Sequence, residues 1–108
     1  MERDMISIVT PCYNEEDNIT EIIVQIRQVM QSLPGYRYEH IFIDNASSDK
    51  TVDKLKSEAK IDNNIKIIVN SRNFGYIRSS IYGMYQASGD ATILIVADLQ
   101  DPPEMITE

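Results

Sequence analysis

Short apolar runs alternate with longer stretches in which apolar residues recur every three or four positions, and this alternation constrains the fold more than any other feature. The runs occupy residues 5–9, 41–43, 65–69 and 92–97. They are rich in isoleucine and valine and do not alternate with polar residues, which is typical of strands buried on both faces. The order βαβαβαβ therefore predicts an α/β fold: a parallel sheet with helices on both faces and right-handed crossovers.

Three predicted helices separate the runs. The first has one apolar face and ends at Pro34-Gly35; the face comprises Ile19, Ile22, Ile23, Ile26, Val29, Met30 and Leu33. The second is predicted to begin with Ser48 as its N-cap and to end at the polar turn 62–64; its apolar face comprises Val52, Leu55 and Ala59. The third is predicted to end at Ser88-Gly89; its apolar face comprises Phe74, Ile77, Ile81, Met84 and Tyr85.

Composition excludes several classes of protein. The chain has 108 residues, a length that suits one small domain with a single core. Its formal net charge of −7 and the lack of a basic stripe argue against nucleic acid as a partner. No apolar run approaches the roughly 18 residues that a transmembrane helix needs, and residues 1–4 are too charged to begin a signal peptide. We therefore expect this segment to be cytoplasmic.

Because Glu108 follows closely on a helix that is predicted to begin at Pro102, we also expect a fragment of a longer chain.

The unusual polar clusters all follow predicted strands. They occupy residues 11–16, 44–49, 70–73 and 97–101. Ligands of open parallel sheets bind outside the carboxyl ends of the strands, so these clusters predict one binding edge.

The fourth cluster is rich in oxygen donors. Asp98, Gln100 and Asp101 suit a hard divalent cation such as Mg²⁺ or Mn²⁺ better than zinc. A polar loop that merely caps the strand is the alternative. The sequence has neither G-x-G-x-x-G nor a P-loop, so a bound nucleotide would need a cation to bridge its phosphates. Carboxylates such as Asp44 could accept hydrogen bonds from its base or ribose.

Two side chains that could be reactive, a thiol and an imidazole, are predicted to have structural rather than catalytic roles. Cys12 is the only cysteine and is predicted to be a small filler after the first strand rather than a nucleophile. His40 is the only histidine and opens a predicted strand, which favours a structural or surface role over catalysis.

Four motifs in order carry a resemblance to a known family. They are PCYNE at 11–15, IDNASSDKT at 43–51, RNFG at 72–75 and ADLQDPPE at 97–104. Together they resemble the family 2 glycosyltransferases over essentially the whole chain. The last motif most resembles the branch that loads sugars onto polyprenyl phosphates, which includes dolichol-phosphate mannose synthases and bactoprenol glucosyltransferases.

The resemblance implies the Rossmann-like, nucleotide-binding half of a GT-A fold. It further implies an inverting hexosyltransferase of bacterial cell-envelope polysaccharide synthesis, which uses a divalent cation and a nucleotide-diphosphate sugar of the UDP-glucose or GDP-mannose type. The acceptor would be a polyprenyl phosphate or a saccharide, the longer protein would be associated with the cytoplasmic face of a membrane, and the catalytic base would lie beyond Glu108. The fragment alone is expected to be inactive.

The resemblance also assigns roles to individual residues. Asp44 would contact the base, and Asp98 would reach both the metal and the diphosphate, with Gln100 beside it on the metal. The remaining residues of the implied donor site are Pro11, Tyr13, Glu15, Arg72 and Ala97. Structural alternatives are a core position for Tyr13, a turn position for Asp44 and a helix N-cap at Asn73.

One position departs from the family pattern. Family members usually carry D-x-D at the fourth strand end, whereas this chain has Val96 in the first position. Valine cannot bind a metal, so the remaining oxygen donors must suffice or metal dependence is weakened. Two other functions stay open: a degenerate, non-catalytic nucleotide-binding module, and a sugar-phosphate nucleotidylyltransferase, although the acidic loop after the first strand does not suit the latter.

Overall fold

The computed structural model describes residues 4–72, 78, 89 and 91–95. Within them lie four strands, β1 (Asp4–Cys12), β2 (Tyr36–Asp44), β3 (Ile65–Val69) and β4 (Ala91–Leu94), and two helices, α1 (Ile19–Gln31) and α2 (Thr51–Ile61). The predicted third helix, the Asn73 cap and the segment after Ile95 lie outside the described residues. Neither α1 nor α2 is long and apolar enough to span a membrane.

All four strands are parallel and lie in the order β3-β2-β1-β4. This confirms the predicted parallel α/β sheet. The chain builds outward from β1 to β3 and then returns to the other side of β1, so the strand order reverses between β1 and β4. Open α/β sheets bind their ligands at such a reversal point, outside the carboxyl ends of the strands.

The apolar face of α1 packs onto one face of the sheet, together with α2. Five of the seven side chains predicted for the α1 face are buried: Ile19, Ile22, Ile23, Ile26 and Met30. They join one core cluster with Ile8 and Phe42 of the sheet and Leu55 of α2. Burying one such side chain contributes about 1.5–3 kcal/mol, so this cluster is the main source of stability among the described residues.

The opposite face of the sheet is also buried. Val9, Ile41 and Ile43 form a second, smaller cluster there, with Ile68 and Leu94 packed against it. Successive residues of a strand point to opposite faces, so Ile8 and Val9 serve different clusters. Burial on both faces is the reason that the strands are continuous apolar runs in the sequence.

Both of the first two strands are longer than predicted. β1 continues through Pro11 to Cys12, and β2 begins at Tyr36 instead of Ile41. The prediction for β2 failed because Glu39 and His40 interrupt the apolar pattern. Both are nevertheless buried, each with a hydrogen-bond partner on β1.

The predicted N-cap of α2 is wrong. The helix begins at Thr51, with Lys50 rather than Ser48 at the N-cap position. The nearby carboxylate of Asp49 accepts hydrogen bonds from the backbone N–H of Thr51 at 2.9 Å and from its hydroxyl. A negative charge is favoured at a helix N-terminus, so Asp49, rather than Ser48, stabilises the start of α2 with its side chain.

His40 has a structural position in the middle of β2, and the surface alternative is wrong. Its Nε2 lies 2.8 Å from Oγ1 of Thr10 on β1. Burial disfavours the charged imidazolium and lowers the pKa of His40 to about 3. The ring is therefore neutral at physiological pH.

Candidate functional site

Three strand ends meet at the carboxyl edge of the sheet. The register between β1 and β2 ends with Cys12 opposite Asp44. Beyond it, the backbone N–H of Asn45 donates to the carbonyl oxygen of Cys12 at 2.9 Å, and that of Asn70 donates to the carbonyl oxygen of Asp44 at 2.8 Å. The side chains of Asn70 and Asn45 are also joined, at 2.9 Å. The first three predicted polar clusters therefore do lie together.

Asn14 connects the loop after β1 with the loop after β2. Its backbone N–H donates to the hydroxyl oxygen of Ser47 at 2.9 Å, and its side-chain oxygen accepts the backbone N–H of Ser48 at 2.8 Å. Asn14 has φ of 52°, in the left-handed region that asparagine tolerates better than most residues. The two loops are thus held as one unit.

Asp44 is completely buried, and its carboxylate is oriented by Ser47. One carboxylate oxygen accepts the backbone N–H of Ser47 at 2.9 Å, and the other accepts the Ser47 hydroxyl. A buried carboxylate needs such donors to offset the loss of hydration. Asp44 is the last residue of β2, and its side chain stabilises the turn that follows, so the structural alternative holds for the side chain and not for the backbone position. The oxygen bonded to the Ser47 hydroxyl also lies 4.0 Å from the Cys12 thiol, so a ligand would have to use the oxygen that accepts the Ser47 N–H, which can accept a second hydrogen bond.

Tyr13 lies at the same edge with its ring partly in solvent. It is 45% exposed and follows directly after β1. The structural alternative, a core aromatic, is therefore wrong. An exposed aromatic ring beside polar loops offers a flat surface on which a base can stack.

The other predicted nucleotide contacts occupy different environments. Pro11 is buried within β1, and Glu15 is half-buried, with its carboxylate accepting the side-chain N–H of Asn18 at 2.9 Å. The backbone N–H of Glu15 donates to Oγ1 of Thr51 at 2.9 Å, which ties the loop to α2. Arg72 is exposed, three residues beyond the end of β3.

The carboxylate of Asp49, near the start of α2, is held ionised by hydrogen bonds. Burial opposes ionisation of Asp49, but the hydroxyl and backbone N–H of Thr51 and the backbone N–H of Glu16 outweigh it and lower its pKa. Lys54 donates from Nζ to the carbonyl oxygen of Glu16 at 2.7 Å. This corner of the site therefore keeps its negative charge at neutral pH.

Cys12 is a buried filler, as predicted. Its sulfur lies 3.7 Å from the carbonyl oxygen of Ile43 and 4.0 Å from a carboxylate oxygen of Asp44. Burial, reinforced by the negative charge of Asp44, raises the pKa of the thiol to about 12. A thiol that stays protonated is not a nucleophile at neutral pH.

The predicted metal ligands follow β4. The backbone N–H of Ile95 donates to the carbonyl oxygen of Val9 at 2.9 Å, so the chain leaves β4 beside the carboxyl half of β1. Ala97, Asp98, Gln100 and Asp101 come next and lie outside the described residues. Within residues 4–72 and 91–95, no group of three histidine, cysteine or acidic side chains could hold a metal. The metal site therefore remains a prediction.

Sequence reasoning missed the residues that join the loops. Asn14, Asn45, Ser47 and Asn70 make most of the hydrogen bonds between the strand ends. The available signal was their position: they are small polar residues directly after buried strands, inside the same motifs that carry the predicted site residues.

Comparison with known proteins decides the family. The model of glycosyl transferase family 2 matches residues 7–108. The chain belongs to this family. It is 43% identical over 102 residues to an uncharacterized glycosyltransferase of Bacillus subtilis, YkcC, covering 94% of this chain and 31% of that protein. It is 37% identical, with the same coverage, to an undecaprenyl-phosphate 4-deoxy-4-formamido-L-arabinose transferase of Proteus mirabilis.

Solved glycosyltransferase structures share the fold. A mannosyltransferase of Pyrobaculum calidifontis in complex with GDP-Man and Mn²⁺ superposes with a TM-score of 0.77 at 19% identity, covering 94% of this chain and 34% of the mannosyltransferase. Residues 1–349 of TarS from S. aureus, in complex with UDP-GlcNAc, give a TM-score of 0.71 at 21% identity. The match covers 87% of this chain and 26% of the TarS chain. The predicted GT-A relationship is confirmed, and this family 2 chain spans about a third of the length of the relatives it matches.

Proposed function

We propose that this chain is the donor-binding part of an inverting glycosyltransferase that uses a nucleotide-diphosphate sugar. The observation that carries the proposal is the hydrogen-bonded carboxyl edge of the sheet, where an exposed aromatic ring and carboxylates lie together in a chain of glycosyl transferase family 2. Neighbours of the same fold form complexes with GDP-Man and UDP-GlcNAc, which supports a nucleotide-sugar donor.

The nucleoside would bind at the ends of β1 and β2. Tyr13 would stack on the base or ribose with its exposed ring, and Pro11 would support the loop from within β1. Glu15 and Asp44 would accept hydrogen bonds from ribose hydroxyls or a base N–H. In the case of Asp44, the ligand would use the carboxylate oxygen that accepts the Ser47 N–H.

The diphosphate would lie on the β4 side of the nucleoside, where Ala97 and Asp98 would complete the donor site. Arg72 follows β3 at the other end of the described sheet and would approach the nucleotide from that side. Asp98 and Gln100 would hold Mg²⁺ or Mn²⁺, and the Mn²⁺ bound with GDP-Man in the Pyrobaculum calidifontis mannosyltransferase supports that choice. When bound, the cation neutralises charge on the departing nucleotide diphosphate.

The reaction forms a bond between an acceptor oxygen and the anomeric carbon and breaks the bond from that carbon to the diphosphate. Attack from the opposite side inverts the anomeric configuration. The name of the Proteus mirabilis relative supports a polyprenyl phosphate as acceptor. A phosphate oxygen is already anionic and needs little help from a base, whereas a sugar hydroxyl would need one. We place that base beyond Glu108, and the longer protein at the cytoplasmic face of a bacterial membrane.

Calorimetric titration of the full-length protein tests the donor site. The ligands are UDP-glucose, GDP-mannose and the free nucleotides, each with and without Mn²⁺. The proposal expects one nucleotide to bind, and expects Tyr13→Ala and Asp98→Ala to weaken its binding. Tyr36→Ala is the matched control, because Tyr36 is 43% exposed but begins β2 at the opposite edge of the sheet.

Each outcome has a distinct meaning. Nucleotide binding that requires both Mn²⁺ and Asp98 supports the donor site and identifies the class of donor. Binding that ignores Mn²⁺ means that Val96 has removed the metal requirement. Binding without sugar transfer by the full-length protein favours the degenerate, non-catalytic module. Folded protein that binds none of these ligands overturns the proposal.

A further inference from the structure

A row of hydrogen bonds crosses the sheet on the face opposite α1 and α2. The backbone N–H of Gly89 donates to the hydroxyl oxygen of Ser7 at 2.8 Å, and that hydroxyl donates to Oε2 of Glu39 at 2.5 Å. Nζ of Lys66 donates to Oε1 of Glu39 at 2.7 Å. We call Ser7, Glu39 and Lys66 the cross-sheet network. It connects the residue two positions before β4 with β1, β2 and β3.

The network places a charge where an apolar side chain would suffice. Ser7 is fully buried and Glu39 is 2% exposed, whereas Lys66 is 56% exposed. The next positions along this face, Val9 and Ile41, are buried and apolar. Burial of a carboxylate is costly even when the carboxylate is paired, and an apolar side chain would avoid that cost, so stability by itself does not account for Glu39.

Gly89 shows how tightly this arrangement is defined. A Cβ atom at residue 89 would overlap Oγ of Ser7 and would lie 2.8 Å from the Ser7 backbone nitrogen and 2.9 Å from the carbonyl oxygen of Met5. Two of these three atoms belong to the backbone of β1 and cannot rotate away. The hydrogen bond to Ser7 therefore forms only where the chain approaches β1 without a side chain.

β4 depends on such a contact because its own pairing is short. Among the described residues, four of this strand pair with β1, from Ala91 opposite Ile6 to Leu94 opposite Val9. In the described part of the sheet, β4 is the end strand and has β1 as its single neighbour. Ser7 thus holds the chain just before β4, and Val9 accepts the N–H of Ile95 just after it.

We infer that Ser7 and Glu39 are positioning residues that fix β4 against β1 and thereby set the point from which the segment after β4 starts. That segment carries Asp98 and Gln100, so the functional half of this inference rests on the proposed function. Lys66 holds the Glu39 carboxylate from the other side. None of the three residues touches the donor in this scheme.

Hydrogen exchange tests the structural half. In Ser7→Ala, we expect protection of the Ile95 amide to fall about tenfold, which corresponds to the loss of roughly one hydrogen bond. Protection of the Asn45 amide, which donates to Cys12 between β1 and β2, should stay unchanged. Ser57→Ala is the matched control, because Ser57 is exposed on α2 and bonds only within its own helix. Unchanged protection at Ile95, or an equal loss at Ile95 and Asn45, overturns the inference.

Substitutions at Glu39 separate hydrogen bonding from packing. Glu39→Gln keeps the shape and an oxygen that can accept from Ser7, whereas Glu39→Leu removes the acceptor. Protection at Ile95 should stay within about twofold of the wild type in Glu39→Gln and fall about tenfold in Glu39→Leu. Equal effects of the two substitutions would mean that Glu39 only fills space, which contradicts the inference.

Metal titration of the full-length protein tests the functional half. With the donor nucleotide saturating, Ser7→Ala should raise the apparent Kd for Mn²⁺ about three- to tenfold, while the Kd for the nucleotide without metal stays unchanged. An unchanged Kd for Mn²⁺ beside a changed exchange rate would overturn the link to the metal ligands. If the wild type shows no metal-dependent binding, the proposed metal site has failed and the link fails with it, whereas hydrogen exchange still decides the positioning of β4.

Discussion

The backbone N–H of Asn14 donates to the hydroxyl oxygen of Ser47 at 2.9 Å, and the same hydroxyl donates to the carboxylate of Asp44. Through this one oxygen, the loop after β1 is connected with the buried end of β2. The residues on either side of Asn14 are Tyr13 and Glu15, both proposed to contact the nucleoside. Asn14 and Ser47 therefore fix the loop that carries two of the proposed nucleoside contacts.

Ser47→Ala removes both connections. It leaves one carboxylate oxygen of the buried Asp44 with one donor fewer, and we expect unfolding free energy to fall by about 1–3 kcal/mol. Nucleotide affinity should also fall, because the loops after β1 and β2 lose the hydroxyl that joins them. Urea unfolding and calorimetry check the two effects. Ser32→Ala is the control, since Ser32 is exposed and its hydroxyl donates to the carbonyl oxygen of Val29 at the end of its own helix; it should change stability by less than about 0.5 kcal/mol.

Substitution of Asn14 separates backbone strain from hydrogen bonding. Asn14→Gly accepts φ of 52° but loses the side-chain oxygen, whereas Asn14→Ala loses the oxygen and also strains the backbone. We expect Asn14→Ala to be less stable than Asn14→Gly by about 1 kcal/mol, the cost of a left-handed conformation for a residue with Cβ. Equal stabilities in urea unfolding would mean that the backbone relaxes. Asn14→Asp keeps an acceptor and should retain more nucleotide affinity than either variant.

The buried imidazole of His40 makes stability depend on pH. The folded-state pKa is about 3, below the ordinary value of 6.5, so between these values the unfolded chain binds a proton that the folded chain does not. The contribution of His40 to the free energy of unfolding is therefore fully present above about pH 6.5. It is lost as the pH falls toward 3, by up to about 1.4 kcal/mol per pH unit. In urea unfolding measured from pH 4 to 8, the free energy of unfolding of His40→Gln should depend less steeply on pH than that of the wild type. Parallel curves for the two proteins would contradict this assignment.

Cys12 should resist modification in the folded protein. Its thiol is buried and has a pKa of about 12, so both access and thiolate fraction are low at pH 8. A colorimetric thiol reagent should react at a rate limited by opening of the structure, and at least about a hundredfold faster in denaturing urea. Rapid reaction of the native protein would show that the end of β1 is accessible to the reagent, which would contradict the burial of Cys12. Cys12→Ser is the control for reaction elsewhere.

The sequence alone determined the order of the described strands and helices, and the family. Periodicity and side-chain shape are local properties, so the apolar face of α1, from Ile19 to Met30, could be predicted without tertiary contacts. The clustering of polar residues after strands also predicted that the loops after β1, β2 and β3 share one edge. The four ordered motifs carried the correct family before any comparison.

Only the tertiary structure decided which polar residues hold these elements together. Glu39 and His40 look like interruptions of an apolar strand, and their partners, Ser7 and Thr10, lie 32 and 30 residues away. Asn14 and Ser48 are 34 residues apart. Such pairs follow from strand register, and a one-residue shift in register would place each side chain on the other face. Long-range hydrogen bonds therefore had to be observed, whereas the local apolar pattern could be predicted.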